Sequence, residues 1–285
     1  MTGAGVAVQV VPLIAGECLN IAALTERGAS WRVRAYPAGF ALLRHPVHGP
    51  VLFDTGYGPR VLRAMRRWPG VLYGLVTPVR LLAEETVPAH LARYGLTPGD
   101  IRNVIVSHLH ADHVGALRDL PQARFHLDPG AYAPLRSLQG VRAVRRAFLP
   151  DLLPPDFGAR IQALEFRPAP PGLAPFERAA DVFGDGSAYA LPVPGHAPGM
   201  VALVVRTGVG APLEGDGTGL TLLAGDVAYS VRGLRGGREV HPLTRLVFFD
   251  PAQERLSRRR LGEWLRNHPR ARVIVSHDAP EPQHG

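Results

Sequence analysis

Through the first sixty residues, apolar positions come in short runs separated by glycine, proline and polar residues. The runs at 6–14, 22–24, 31–35, 40–44 and 50–53 predict a meander of short strands. From 59 to 96 the period changes. Val61, Leu62 and Met65, then Leu81, Leu82 and Leu91, fall at helical spacings interrupted by Pro69-Gly70 and Pro78, which predicts a helical insert. An uninterrupted apolar run at 103–107 predicts a buried strand, followed by a helix-like segment at 114–120, a strand at 124–127 and one or two helices within 132–148. The proline-rich stretch 150–175 predicts an ordered but irregular connection. Strands then follow at 188–192, 201–206, 221–223 and 272–275, with a helix at 253–267 and a glycine-rich turn at 208–219.

Strands followed by helices, twice over, predict an α/β architecture of two mixed sheets packed face to face with helices on the outer faces. Nothing in the chain reads as a linker, so 1–285 is expected to be one domain carrying the insert at 59–96. No apolar run reaches the roughly 18 to 20 residues a bilayer span needs, so no membrane partner is expected. The apolar start lacks a preceding positive charge and is broken by Gln9 and Pro12, so it reads as a first strand rather than a secretion signal, and a cytoplasmic location is expected.

The formal charge of +8 points toward nucleic acid only weakly. Every basic residue is arginine and none is lysine, alongside abundant Ala, Gly and Pro, which is the mark of a G+C-rich coding bias. The densest cluster, Arg255 to Arg260, shares its segment with Leu256, Leu261 and Leu265 at helical spacing and so reads as a solvated helix face. No aromatic residues interleave with it as a stacking platform requires, and nucleic acid is not the expected partner. Cys18 stands alone, which excludes an internal disulfide and suits a small core residue.

The chemistry concentrates at 108–113, His-Leu-His-Ala-Asp-His, directly after the buried run at 103–107. While the backbone stays extended, His108 and His110 point to the same side and can share one cation. Asp112 and His113, reached after the chain bends, would face a neighbouring point. Two metals about 3.5 to 4 Å apart are a hydrolytic arrangement that this spacing suits. Three further candidates follow strand-like segments or precede one: His196, Asp226 and His277. Alone, each is explained as a turn or capping residue; together with the cluster they form a seven-residue constellation.

In this order, from Asp54-Thr55-Gly56 through His108 to His113, His196, Asp226 and His277, the chain resembles the metallo-β-lactamase superfamily of hydrolases. The resemblance covers most of the chain. It implies an αβ/βα sandwich with the site at one edge, between the sheets. It also implies that His108, His110 and His196 hold one metal, that Asp112, His113 and His277 hold the other, and that Asp226 bridges. Five imidazoles and two carboxylates suit two divalent ions, zinc foremost, with iron, manganese and cobalt also compatible.

Within the superfamily, three features resemble the branch that opens N-acyl homoserine lactones: the helical insert, Tyr229 three residues after Asp226, and the pair His277-Asp278. That resemblance implies a small-molecule lactone or related ester as substrate and a hydroxide bridging the metals as nucleophile. It further implies Tyr229 at the substrate carbonyl and Asp112 as both ligand and proton shuttle. Asp54 is expected to orient a ligand histidine or its own loop, and Asp278 receives no role. Met65, Trp68, Leu72, Tyr73, Leu75, Phe148 and Leu149 are candidates for an apolar wall accepting an acyl chain.

Three other readings use related residues. A thioester hydrolase of the hydroxyacylglutathione type would share all seven ligands but need a cationic pocket, which the sequence does not locate. A nucleic-acid phosphodiesterase would need an RNA-binding insertion, which is not evident. An iron persulfide dioxygenase needs only the first metal group, so the complete Asp112, His113 and His277 set argues against it. The resemblance leaves a homodimer open.

Overall fold

The computed structural model describes residues 6–245 and 247–278; the outermost residues of the expected 1–285 domain, and residue 246, lie outside the described residues. Thirteen strands are described: β1 (Gln9–Ile21), β2 (Val33–His45), β3 (Gly49–Phe53), β4 (Val79–Arg80), β5 (Asn103–Ile105), β6 (Arg124–Leu127), β7 (Ile161–Ala163), β8 (Arg167–Pro168), β9 (Arg178–Asp181), β10 (Ala188–Pro192), β11 (Val201–Arg206), β12 (Leu220–Leu223) and β13 (Arg272–Ile274). They form a seven-stranded sheet ordered β4-β1-β2-β3-β5-β6-β7 and a six-stranded sheet ordered β13-β12-β11-β10-β9-β8. Both are mixed. In the first, β3, β5, β6 and β7 run parallel while β1, β2 and β3 are antiparallel. In the second only β12 and β13 are parallel. This is the sandwich expected from the sequence.

Alternation along the strands explains the layering, because successive side chains leave opposite faces of a sheet. Ala41, Leu43, Val51, Phe53 and Ile105 point inward and meet Ala190, Val201, Leu203, Val205 and Leu223 of the other sheet. Their neighbours Leu42, Leu52 and Val104 pack outward, together with Phe125, under the helical segments of the first half. Ala202, Val204 and Leu222 face outward against Leu261, Trp264 and Leu265 of the helix Pro251–Asn267. That helix starts where Asp250 accepts from the backbone N–H groups of Ala252 and Gln253, with Pro251 in its first turn. Burial of its three large residues contributes roughly 1.5 to 3 kcal/mol each. The indole N–H of Trp264 is satisfied by the Gly172 carbonyl at 3.1 Å.

Several expectations are corrected. Residues 22–24 lie in the short helix Ala22–Thr25 rather than a strand. The first strand does not stop at Ile14: a bulge at Gly16 shifts the register and pairing continues to Ile21. The two runs at 31–35 and 40–44 are one strand, and 114–120 holds a single 3₁₀ turn, Leu117–Asp119. The segment 59–96, expected as a helical insert, contains helices Pro59–Ala64, Val71–Val76 and Val87–Arg93, together with β4. Among the described residues no helix is long and apolar enough to cross a membrane.

Candidate metal centre

The topology brings five strand ends to one edge. The parallel pairs β3/β5 and β12/β13 end there, and so does β10, which runs in the same direction as β12 with antiparallel β11 between them. The segments that leave these ends carry Asp54, the 108–113 motif, His196, Asp226 and His277. Backbone hydrogen bonds lock the edge. Val201 N–H donates to the Ser107 carbonyl at 3.0 Å across the two sheets, and Gly39 N–H donates to the Ser276 carbonyl at 2.8 Å. The Asp54 and 108–113 loops touch through Gly58 and Gly115, where a Cβ on Gly58 would lie 2.3 Å from the Gly115 carbonyl oxygen.

Two groups of ligand-type side chains result. His108, His110, His196 and Asp226 form one, and Asp112, His113, Asp226 and His277 the other; within each, ligand atoms lie within 4.8 Å of one another. Asp226 belongs to both. Its Oδ2 lies 3.3 Å from His196 Nε2 and 3.0 Å from His277 Nε2, and its Oδ1 lies 3.2 Å from His113 Nε2. His196 Nε2 and His110 Nδ1 are 3.1 Å apart. That separation is near the roughly 3.3 Å edge of a tetrahedron with metal–nitrogen bonds of about 2.0 Å.

The donor set fits metal ions. His108 Nε2, His113 Nε2 and Asp226 Oδ1 are fully buried yet have no hydrogen-bond partner among the described residues, a costly state for side chains that did not have a further occupant to meet. The opposite ring nitrogens are held. His113 Nδ1–H donates to Asp54 Oδ2 at 2.8 Å, and His277 Nδ1–H donates to the Pro37 carbonyl at 3.0 Å. Ser107 Oγ–H donates to Asp54 Oδ2 at 2.7 Å and lies 3.0 Å from His108 Nδ1, whose N–H it can accept. These bonds place the proton on Nδ1 and leave Nε2 with its lone pair.

Electrostatics divide the groups. Burial and the nearby His113 and His110 hold His108 well below the usual imidazole range, and burial with His196 lowers His110 to about 3. Burial alone would also lower His113 and His277. The carboxylates of Asp226, Asp112 and Asp54 reverse this for His113 and hold it well above its ordinary value, while pairing with Asp226 and Asp112 brings His277 to about 9. Burial opposes ionisation of Asp226, yet the His277 and His113 imidazoles hold it well below the carboxylate range.

The centre forms the floor of a cavity of about 730 Å³, reached by His110, Asp112, His196, Asp226 and His277. Tyr229 lines the same cavity, its ring stacked on His277 with centroids 5.2 Å apart and planes at 17°. Burial and then the Asp226 charge push its hydroxyl well above the ordinary phenol range, so it stays a donor. The expected apolar wall is corrected in part. Leu72 and Tyr73 do line the cavity, joined by Val76, Leu138, Val141, Val144 and Phe248. Trp68 and Leu75 are turned to solvent at 72% and 73% exposure, Met65 and Leu75 border a separate groove, and Phe148 and Leu149 are in the core.

All seven candidate ligands thus converge, and Asp54 orients His113, one of them. Asp278 instead accepts from the Val231 N–H at 3.0 Å, at the start of helix Val231–Arg235. Sequence reasoning missed Ser107 and the Pro37 carbonyl. Ser107 adjoins the motif and could have been noted; a backbone carbonyl leaves no trace in side-chain identity.

Comparison with known proteins agrees with this fold. The family model for the metallo-beta-lactamase superfamily matches residues 41–209. An N-acyl homoserine lactonase, AttM, of Azorhizobium caulinodans is 30% identical over 222 residues, covering 74% of this chain and 72% of that protein. A probable metallo-hydrolase of Mycobacterium tuberculosis is 28% identical over 258 residues, covering 84% of this chain and 76% of that one. An N-acyl homoserine lactone hydrolase solved with the product N-hexanoyl-L-homoserine at its catalytic metal centre shares the fold, with a TM-score of 0.70 and 20% identity, over 96% of this chain and 94% of that one.

Proposed function

The chain belongs to the metallo-beta-lactamase superfamily, and from that premise we propose that it is a two-metal hydrolase that opens a lactone, or cleaves a related ester, of the N-acyl homoserine lactone type. The observation that carries the reading is Asp226: one carboxylate shared by two ligand groups on the floor of a cavity that Tyr229 also lines. In this reading His108, His110 and His196 hold one ion, Asp112, His113 and His277 the other, and Asp226 both. Zinc is the ion we assign, from the mixed imidazole and carboxylate donor set. Bound there, two divalent ions supply an activated water and Lewis acidity toward the carbonyl.

The residues of the chain do the rest. Asp54 and Ser107 fix the ligand tautomers before any ion arrives. The Tyr229 hydroxyl donates to the carbonyl oxygen where negative charge builds. Asp112, held as a carboxylate by His113 and His277 against the cost of its burial, would take up the proton that the attacking water loses and pass it to the departing oxygen. The segment 59–96 contributes Leu72 and Tyr73 to a wall that receives the acyl chain and keeps water from the centre, with Val76 at its exposed rim.

The test is metal analysis of protein purified without added metal, coupled to a panel of lactone, thioester and phosphodiester substrates. Two metals per chain with lactone turnover is the expected result. One metal or none in active protein would sink the two-metal assignment. Turnover of thioesters or phosphodiesters alone would sink the lactone assignment.

A further inference from the structure

Resting on the lactonase reading above, we propose that the cavity mouth is a subsite for an anionic group, so that the preferred substrate is an acyl lactone or ester whose tail carries a carboxylate. The observation is the charge lining the cavity. Arg142, Arg145 and Arg146 all border it, and among the described residues its only carboxylates are Asp112 and Asp226 at the floor, both within the candidate metal-binding groups. Among the described residues none of these three arginines is ion-paired, whereas Arg160, Arg238, Arg245 and Arg258 each have a carboxylate partner.

Their placement is specific. Arg142 belongs to the helix Gly140–Val144, and Arg145 continues it with helical backbone, so the two lie three residues apart on one face. Val141 and Val144, spaced the same way, line the cavity beside them. The guanidinium of Arg146 sits over the Phe249 ring at 5.2 Å, beside the cavity residues Val247 and Phe248, which restrains it at the mouth. All three arginines are exposed, whereas Tyr73 is buried and Leu72, Leu138 and Val144 are half-buried, so a ligand running from the floor outward meets an apolar stretch and then three cations. That order matches an amphiphile with its carbonyl at the centre, an aliphatic middle and an anionic end. Guanidinium pairs with carboxylate in a two-pronged geometry, which favours this group over a neutral polar tail. It is also the cationic feature that the sequence alone did not reveal, since three arginines among 32 carry no signal until the fold aims them.

The experiment compares two acyl lactones of equal chain length, one ending in methyl and one in carboxylate, at low and high salt. A tail read by apolar burial alone would favour the methyl compound. The subsite predicts the reverse, a kcat/KM ratio of about ten in favour of the carboxylate at low salt, falling toward one at high salt. In the Arg142→Gln/Arg145→Gln variant the ratio should fall toward one as well. Because it is a ratio within one protein preparation, partial misfolding does not mimic this. A ratio at or below one in the parent, or one unchanged in the variant, overturns the subsite while leaving lactone hydrolysis in place. If neither lactone turns over but a carboxylate-bearing thioester does, with the same dependence on the two arginines, the lactone reading fails and the anionic subsite stands.

Discussion

Asp54 Oδ2 lies 2.8 Å from His113 Nδ1, and through Ser107 the same carboxylate reaches His108, so one buried acid orients a candidate ligand in each of the two groups. Asp54 is completely buried and sits in the left-handed region with φ 59°, a conformation that aspartate tolerates better than most residues. Burial pushes its carboxyl upward and the His113 imidazole opposes that, which ties its ionisation to the histidine it holds.

Replacing this group should therefore weaken metal binding without removing a ligand. Asp54→Asn keeps the shape but loses the charge and one acceptor, and the expected cost is about tenfold to a hundredfold in affinity. Because Asp54 serves His113 directly and His108 through Ser107, both ions should be affected, His113's the more. Chelator competition monitored by metal content measures this; an unchanged affinity at both positions would remove Asp54 from the centre.

Acidity should empty the two positions in sequence. His108 and His110 are neutral in the folded chain, whereas His113 and His277 carry protons until a metal displaces them. Metal at the Asp112, His113 and His277 group competes with these protons, in the case of His277 below about pH 9, so its affinity falls as pH falls. Dialysis at about pH 6 should leave one metal per chain where about pH 8.5 leaves two. The metal-free protein should show the converse. A folded pKa raised above the unfolded value of about 6.5 stabilises fully below that pH, and the contribution of His277 is lost as pH rises through about 9. Simultaneous loss of both metals at one pH would contradict the division.

A glycine positions His196. Gly195, immediately before His196, has φ 129°, and a Cβ there would stand 2.1 Å from the Glu254 backbone nitrogen in the helix Pro251–Asn267. Gly195→Ala should force that loop off the helix, cost about 1 to 3 kcal/mol of stability and lower occupancy in the His196 group first. Gly210→Ala is the control: its φ is also positive, at 66°, but nothing lies within 4 Å of the added Cβ. Thermal unfolding and metal content should separate the two variants, and equal effects would show that backbone strain alone accounts for the loss.

How much of this was legible in the sequence depends on the range of each interaction. Strand 124–127 and the apolar part of 221–223 were readable because alternation and continuous burial are local patterns. The convergence of the seven candidate ligands was readable because their side-chain types are rare in combination. The continuation of β1 past Ile14 was hidden by the Gly16 bulge, which breaks alternation without ending the pairing. Ala22 to Leu24 are apolar enough for a strand but form a helical turn, a choice made by what they pack against. The cavity wall was the least legible. Trp68 and Leu75 have the composition of lining residues, yet only the packing of the helix Val71–Val76 turns Leu72 and Tyr73 inward, leaves Leu75 outside and puts the exposed Val76 at the cavity rim.

Tyr229 gives the sharpest test of the chemistry. Its ring stacks on His277, and its hydroxyl makes no hydrogen bond to another described residue, which leaves the proton free for a substrate oxygen. Tyr229→Phe keeps the ring and the stacking, so metal content should be unchanged. If the hydroxyl donates as charge builds on the carbonyl oxygen, lactone turnover should fall about tenfold to a thousandfold. The larger loss applies to a preorganised donor in a dry site and the smaller to one that water can replace. Because burial and Asp226 keep the phenol protonated far above neutral pH, the loss should be uniform across the pH profile rather than shift its limbs. A variant that opens lactones at the parental rate with both metals bound would show that the carbonyl is polarised without this residue.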